Sequence, residues 1–255
     1  MASTSDFAAP SKRDNDRLSA RFVSCKELDA ETVQTMFELY ASNYADVSDH
    51  IFRRDLEQKT DVLLLTNADD QLRGFTTLEI YSSNAAGRPV RVLFSGDTII
   101  DPAYWGSPAW ALEWIRFAGT VARRHDTPLY WLLIVKGHRT YRFLPAFAKH
   151  YIPHHKIPGP PDDRAMLSAL AREKFGDHFD SASGVVRFPT PQGRLVDKLA
   201  DVPGKHRKLG SVAHFLKLNP GYRDGDELVC LCRLALDNLR PLAARVFAAD
   251  SGQAN

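Results

Sequence analysis

The chain has 255 residues, 44% hydrophobic and 25% charged, and its 33 basic and 31 acidic side chains leave a formal charge of +2. That length can bury a large core, and the near balance of charge excludes a dedicated nucleic-acid binder, which needs a basic surplus to neutralise phosphates. Three cysteines, Cys25, Cys230 and Cys232, are too few for a disulfide framework and point to a reducing, cytoplasmic setting.

Residues 1–20 carry polar and charged side chains without an apolar run. They lack the core of a secretory signal and read as a disordered leader. A short strand is expected near Arg21 to Cys25. Asp29 then suits a helix N-cap, with Val33, Met36, Phe37, Tyr40 and Tyr44 recurring on one face. A second short helix is expected over Asp49 to Gln58.

The period then changes. Asp61 to Asn67 reads as a compact apolar strand and Ala68 to Gln71 as a hairpin turn. Arg73 to Tyr81 and Arg91 to Ile100 follow as strands, and the short links between the three predict an antiparallel meander. Ser107-Pro108 is a helix start, with Trp110, Trp114, Phe117 and Val121 on one face and Asp126-Thr127-Pro128 as the stop. Leu129 to Val135 is the longest strongly apolar run, far short of the ~20 residues of a membrane span. It suits a buried strand running parallel to Arg91–Ile100. Thr140 to Tyr151 is expected to be helical, with Pro145 as a possible kink.

Pro153, Pro158, Gly159, Pro160 and Pro161 make a linker or irregular crossover. Beyond it, residues 159–255 read as an α+β extension: a helix over Asp163 to Phe175, strands near Val185 to Phe188 and Glu227 to Leu234, and a closing helix over Leu239 to Phe247.

The order helix, helix, three-strand meander, helix, buried strand, helix over residues 21–158 resembles the GNAT superfamily of N-acyltransferases. The fold implied is a mixed α/β sheet flanked by helices. The most telling stretch is Ile99-Ile100-Asp101-Pro102-Ala103-Tyr104-Trp105-Gly106-Ser107-Pro108-Ala109, in which Pro102, Tyr104 and Gly106 match the family's donor loop. The resemblance implies that Tyr104, Trp105, Gly106, Ser107 and Ala109 cradle the phosphate of an acyl-coenzyme A or acyl-carrier-protein thioester, since a helix N-terminus offers unpaired N–H groups to an anion. Two departures stand out: Trp105 occupies the usual arginine position, and Pro108 has no N–H. They leave open a non-catalytic interaction module on the same fold.

In the family the thioester lies between two splayed strands, here matched to Arg91–Ile100 and Leu129–Val135. The resemblance therefore makes Asp97, Glu79, His138 and Tyr141 the candidates for proton transfer to or from an amine acceptor, a small molecule or a peptide. Each also has a plain structural reading, as a loop-binding carboxylate, a solvated charge, a surface imidazole or a core aromatic. His154-His155 lacks the spacing of a metal pair, and Cys230 and Cys232 share one strand face as core residues. Lys205-His206-Arg207-Lys208 is either a solvated loop or a docking patch for an acidic carrier protein.

Overall fold

The computed structural model describes residues 18–190 and 192–249. Most of the expected leader, residues 1–17, lies outside them. Leu18 is buried and the first strand, β1, runs over Ser19–Ser24, two residues earlier than its sequence suggests. It is held there by antiparallel pairing with β3 (Asp61–Thr66), from Ser19 opposite Thr66 to Ser24 opposite Asp61.

Between them lie α1 (Ala30–Asn43), the short strand β2 (Tyr44–Ala45) and α2 (Asp49–Leu56). Asp29 caps α1 as expected, accepting the Thr32 N–H at 2.7 Å. The meander continues into β4 (Leu72–Ala85) and β5 (Arg88–Ile100), which pair antiparallel. Helix α3 (Ala109–Arg123) then crosses over to β6 (Leu129–Val135), which pairs parallel to β5. This is the order of strands and crossover expected from the sequence.

The expected helix over Thr140–Tyr151 is instead two short ones, α4 (His138–Tyr141) and α5 (Phe143–Phe147). Pro145 has no N–H to give the Tyr141 carbonyl, so the helix cannot run through. Next comes α6 (Pro161–Phe175), with the two-residue strands β7 (Phe179–Asp180), β8 (Val185–Val186) and β9 (Arg194–Leu195) after it. The Gly- and Lys-rich connection holds three helices that periodicity did not suggest: α7 (Asp197–Ala200), α8 (Gly204–Arg207) and α9 (Gly210–Leu218). The chain closes with β10 (Glu227–Arg233) and α10 (Pro241–Ala248).

The main sheet has the order β1-β3-β4-β5-β6-β10-β8-β7. Residues beyond 158 are therefore woven into it, because β10 lies antiparallel between β6 and β8. Alternation sorts the core onto two faces. On one face α1 and α2 cover Val62, Leu64, Phe75 and Ile99, and α6 covers Phe94, Leu132, Val229 and Leu231. On the other face Trp114, Phe215 and Phe247 pack on Leu93, Trp131, Leu133 and Cys230. Cys230 and Cys232 are buried free thiols, and burial pushes Cys232 up to about 12. No helix among the described residues is long and apolar enough to cross a membrane.

Candidate active site

Strands β5 and β6 pair from Arg91 opposite Leu129 to Ser95 opposite Leu133, and then part. Beyond that point β5 stays with β4, pairing Thr98 to Thr76 and Ile100 to Gly74, while β6 stays with β10. A register shift between Thr76 and Leu78 bulges the sheet at the same place. Thr77 Oγ1 accepts the Asp97 N–H there at 3.1 Å and turns this residue toward the gap. Trp110 and Trp131 brace the edges, donating their indole N–H to Thr76 Oγ1 at 2.5 Å and Ser95 Oγ at 2.9 Å.

A cleft of about 610 Å³ fills the gap and draws its walls from both faces of the sheet. Gly106, Ser107, Arg139, Arg142 and His206 line one end, with Trp105 at the rim; Tyr40, Tyr44, Lys59, Phe94 and Lys174 line the other. Asp97, Lys136 and Glu227 lie between them. Trp105 and Trp110 line this space and leave it open.

The first end suits an anion. Gly106 takes φ +104°, a conformation only glycine adopts readily, and a Cβ there would meet nothing within 4 Å. The amides of Tyr104, Trp105 and Ser107 are used inside the loop, on the carbonyls of Asp101, Pro102 and Tyr104. Helix α3 begins one residue later than Ser107-Pro108 implies, with Pro108 in the cap position and Ser107 Oγ accepting the Ala109 N–H at 3.4 Å. Of the five expected cradle residues, Tyr104, Trp105, Gly106 and Ser107 line the cleft and Ala109 does not. Side chains make up for the spent amides. The Arg139 guanidinium lies 4.3 Å over the Trp105 ring and donates to the Leu199 carbonyl at 2.6 Å. Arg142 lies 3.4 Å from His206 Nε2. Neither arginine has a carboxylate partner among the described residues, so this end carries unneutralised positive charge.

The middle of the cleft is a buried group of acids and lysines. Register places Glu227 beside Lys136, because Leu228 pairs with Val135. Their side chains meet at 3.4 Å and both are buried. Lys136 also donates to the Gln192 carbonyl at 2.8 Å, which accepts the Tyr40 hydroxyl at 2.9 Å as well. Lys59, 6% exposed, pairs with Asp55 at 2.6 Å. Burial, and then repulsion from Asp55, raises the Asp97 carboxyl to about 6 against the pull of Lys136 and Lys59. Burial raises Glu227 to about 7, with Lys136 opposing and Asp97 adding to it. Burial, with Asp97 and Glu227 nearby, also pushes the Tyr44 hydroxyl up, so it stays protonated.

A strap from the C-terminal segment closes this side. Strand β9 pairs with β2, and Arg194 bridges to Asp46 at 2.8 Å. Gly193, at φ +80°, passes so close to α1 that a Cβ would stand 3.0 Å from the Tyr40 hydroxyl.

Of the four proton-transfer candidates, Asp97 alone lines the cleft. His138 is 1% exposed and sits behind the wall, its Nε2 3.2 Å from Nδ1 of His206. Burial, with Arg139, His206 and Arg142 around it, lowers its imidazole to about 4. Tyr141 is fully buried and its hydroxyl donates to the Pro153 carbonyl at 2.6 Å, away from the gap. Glu79 is held by Lys174 on the α6 face. Lys59, Lys136 and Glu227 were not anticipated. A charge directly after Leu129–Val135 and another opening Glu227–Leu234 were the available signals, but their meeting depends on which strand pairs with which. Lys205, Arg207 and Lys208 are exposed around His206, which faces the cleft.

No family model matches the chain, and no curated protein matches it. Solved structures overlap it in part. A conserved protein of Enterococcus faecalis V583, given as a probable N-acyltransferase, aligns at 15% identity and TM-score 0.40 over 52% of this chain and 33% of its own. The GNAT family N-acetyltransferase YhbS of Escherichia coli, in complex with CoA, aligns at 16% identity and TM-score 0.36 over 51% of this chain and 69% of its own. A GCN5-related N-acetyltransferase of Kribbella flavida gives 14% and 0.39 over 62% and 45%. The chain thus spans about a third of the length of the Enterococcus protein.

Proposed function

We propose that this chain transfers an acyl group from a thioester donor to an amine. The observation that carries the reading is one cleft, passing through the sheet where β5 and β6 part, with a cationic end on the α3 side and a buried acid–lysine group beyond it. The donor's phosphate binds at Gly106, Arg139, Arg142 and His206, with Arg139 supplying the cation that position 105 lacks. Its thioester reaches into the gap, and the amine approaches from the side of α1 and α6.

The acceptor's ammonium first loses a proton to Asp97, with Glu227 as the neighbouring base; both titrate near neutrality, where a base is most effective. The amine nitrogen then attacks the thioester carbonyl, the new C–N bond forms and the C–S bond breaks. The departing thiolate takes up the proton that the Asp97–Glu227 group received from the ammonium. Holding both reactants in one gap supplies much of the acceleration. Because Trp105 and Trp110 leave the cleft open, the enzyme reading is favoured over the non-catalytic module.

The test is thermal stabilisation by coenzyme A, an acyl-coenzyme A and an acylated carrier protein, followed by thiol release on adding amines. A donor at one hundred times its Kd adds about 2.7 kcal/mol. No shift with any donor and no thiol release would end the acyl-transfer reading. For the carrier, Arg207→Glu with Lys208→Glu is expected to slow association and weaken its salt dependence while leaving coenzyme A binding intact. Unchanged carrier binding would return this basic run to a solvated turn.

A further inference from the structure

From its middle to its far end, the cleft has an uneven charge pattern. Lys59 pairs with Asp55, Lys136 with Glu227 and Lys174 with Glu79, so each lysine there has its own acid. Asp97 is the acid left over; its carboxylate has no hydrogen-bond partner among the described residues, and it faces the cleft. Two of the lysines retain unused N–H groups. Lys59 spends two of its three on the Asp55 carbonyl and carboxylate. Lys174 spends one on Glu79. Both ammonium groups stand over the Phe94 ring, at 5.6 and 4.7 Å from its centre. Lys59 is also close to Asp97 along the strand, since a Cβ on Gly96 would lie 3.8 Å from its Nζ.

We propose that this end binds a small α-amino acid, with the ammonium at Asp97 and the carboxylate on the spare N–H groups of Lys59 and Lys174 over Phe94. The cleft's own opposite charges are neighbours, so the ligand's must be neighbours too. A simple amine would satisfy Asp97 and leave the lysine donors dry, and a simple carboxylate would do the reverse. Tyr40, Phe175 and Phe188 give the ligand's side chain an apolar surround. The inference rests on the acyl-transfer reading only in naming this occupant the acceptor.

Calorimetric titration of the intact protein tests it, using each of the twenty common amino acids with and without coenzyme A. Every binder is then compared with its decarboxylated amine and its deaminated acid. At least one amino acid is expected to bind about tenfold or more tighter than either counterpart. Lys174→Gln, checked for an unchanged melting temperature, is expected to narrow the gap between amino acid and amine to about threefold or less. An amine that binds as tightly as its amino acid, or no binding by any amino acid under either condition, overturns the proposal. Thiol release from acyl-coenzyme A separates the two readings. Amino-acid binding without release leaves the zwitterion site and removes the transfer. Release with plain amines at equal efficiency leaves the transfer and removes the zwitterion.

Discussion

Asp97 and Glu227 are raised from 3.8 and 4.5 to about 6 and about 7, so the folded chain holds protons that the unfolded chain has released. The stability this lends is full below pH 4 and is lost as pH rises through 6 and 7. Asp97→Asn removes a charge that is poorly solvated in the fold. The variant should match the parent near pH 4 and exceed it at pH 8 by on the order of 2 kcal/mol, read from melting curves across that range. The same change should cut turnover by about 10²–10⁴ with donor binding preserved. A parent chain whose stability is flat from pH 4 to pH 8 would contradict the buried-acid assignment. The placement of Asp97 at the cleft was legible because it stands late in a strand beside Gly96, where a carboxylate has no packing role. Glu227 and Lys136 were not, since each looks like an ordinary strand-end charge until β10 is laid against β6. The placement of His138 and Tyr141 away from the cleft was not legible. They stand in the right segment, but α4 turns both side chains into the core.

At the scale of elements, strand period and helix starts were readable wherever one face meets one layer. The β4–β5 hairpin, the α3 crossover and the parallel placement of β6 all follow from patterning and link length. The helices α7 to α9 were not readable, being short and packed on one another, on α4 and on the turn at Pro220–Asp224. Helix α3 and the loop before it join function to architecture through two glycines that act differently. At Gly106 only the backbone conformation demands glycine, so Gly106→Val should strain the loop by about 1–2 kcal/mol and abolish donor stabilisation. At Gly119 it is the neighbour: a Cβ would stand 2.0 Å from the Phe247 carbonyl oxygen of α10. Gly119→Val must push α10 away from α3, and the expected loss is about 3 kcal/mol or more, seen as a lower midpoint in urea. Cleavage by protease near residues 241–248 should appear in that variant first. Equal stability of parent and G119V would mean that the helix contact contributes little.

At the scale of the whole molecule, we expect that a core of residues 21–158 does not stand alone without the segment that follows it, because β10 is part of its sheet. Strand β6 is apolar on both faces, and every residue from Tyr130 to Val135 pairs with β10 on its outer side. A chain ending at residue 158 would expose that edge along its length and uncover the layer now filled by α6, α9 and α10. An unpaired, apolar, uncharged edge strand is a template for association with other chains. It would also lose Glu227, the strap at Gln192 and the His206 imidazole, so both ends of the cleft would fail together. The truncated chain should therefore be insoluble or aggregated by size-exclusion and light scattering. Adding residues 159–249 as a separate polypeptide during refolding should restore a soluble complex, because β10 carries the complementary edge. A monomeric, cooperatively melting fragment of residues 18–158 would show that β6 can end the sheet, and that the acid–lysine group is an addition to a core already complete.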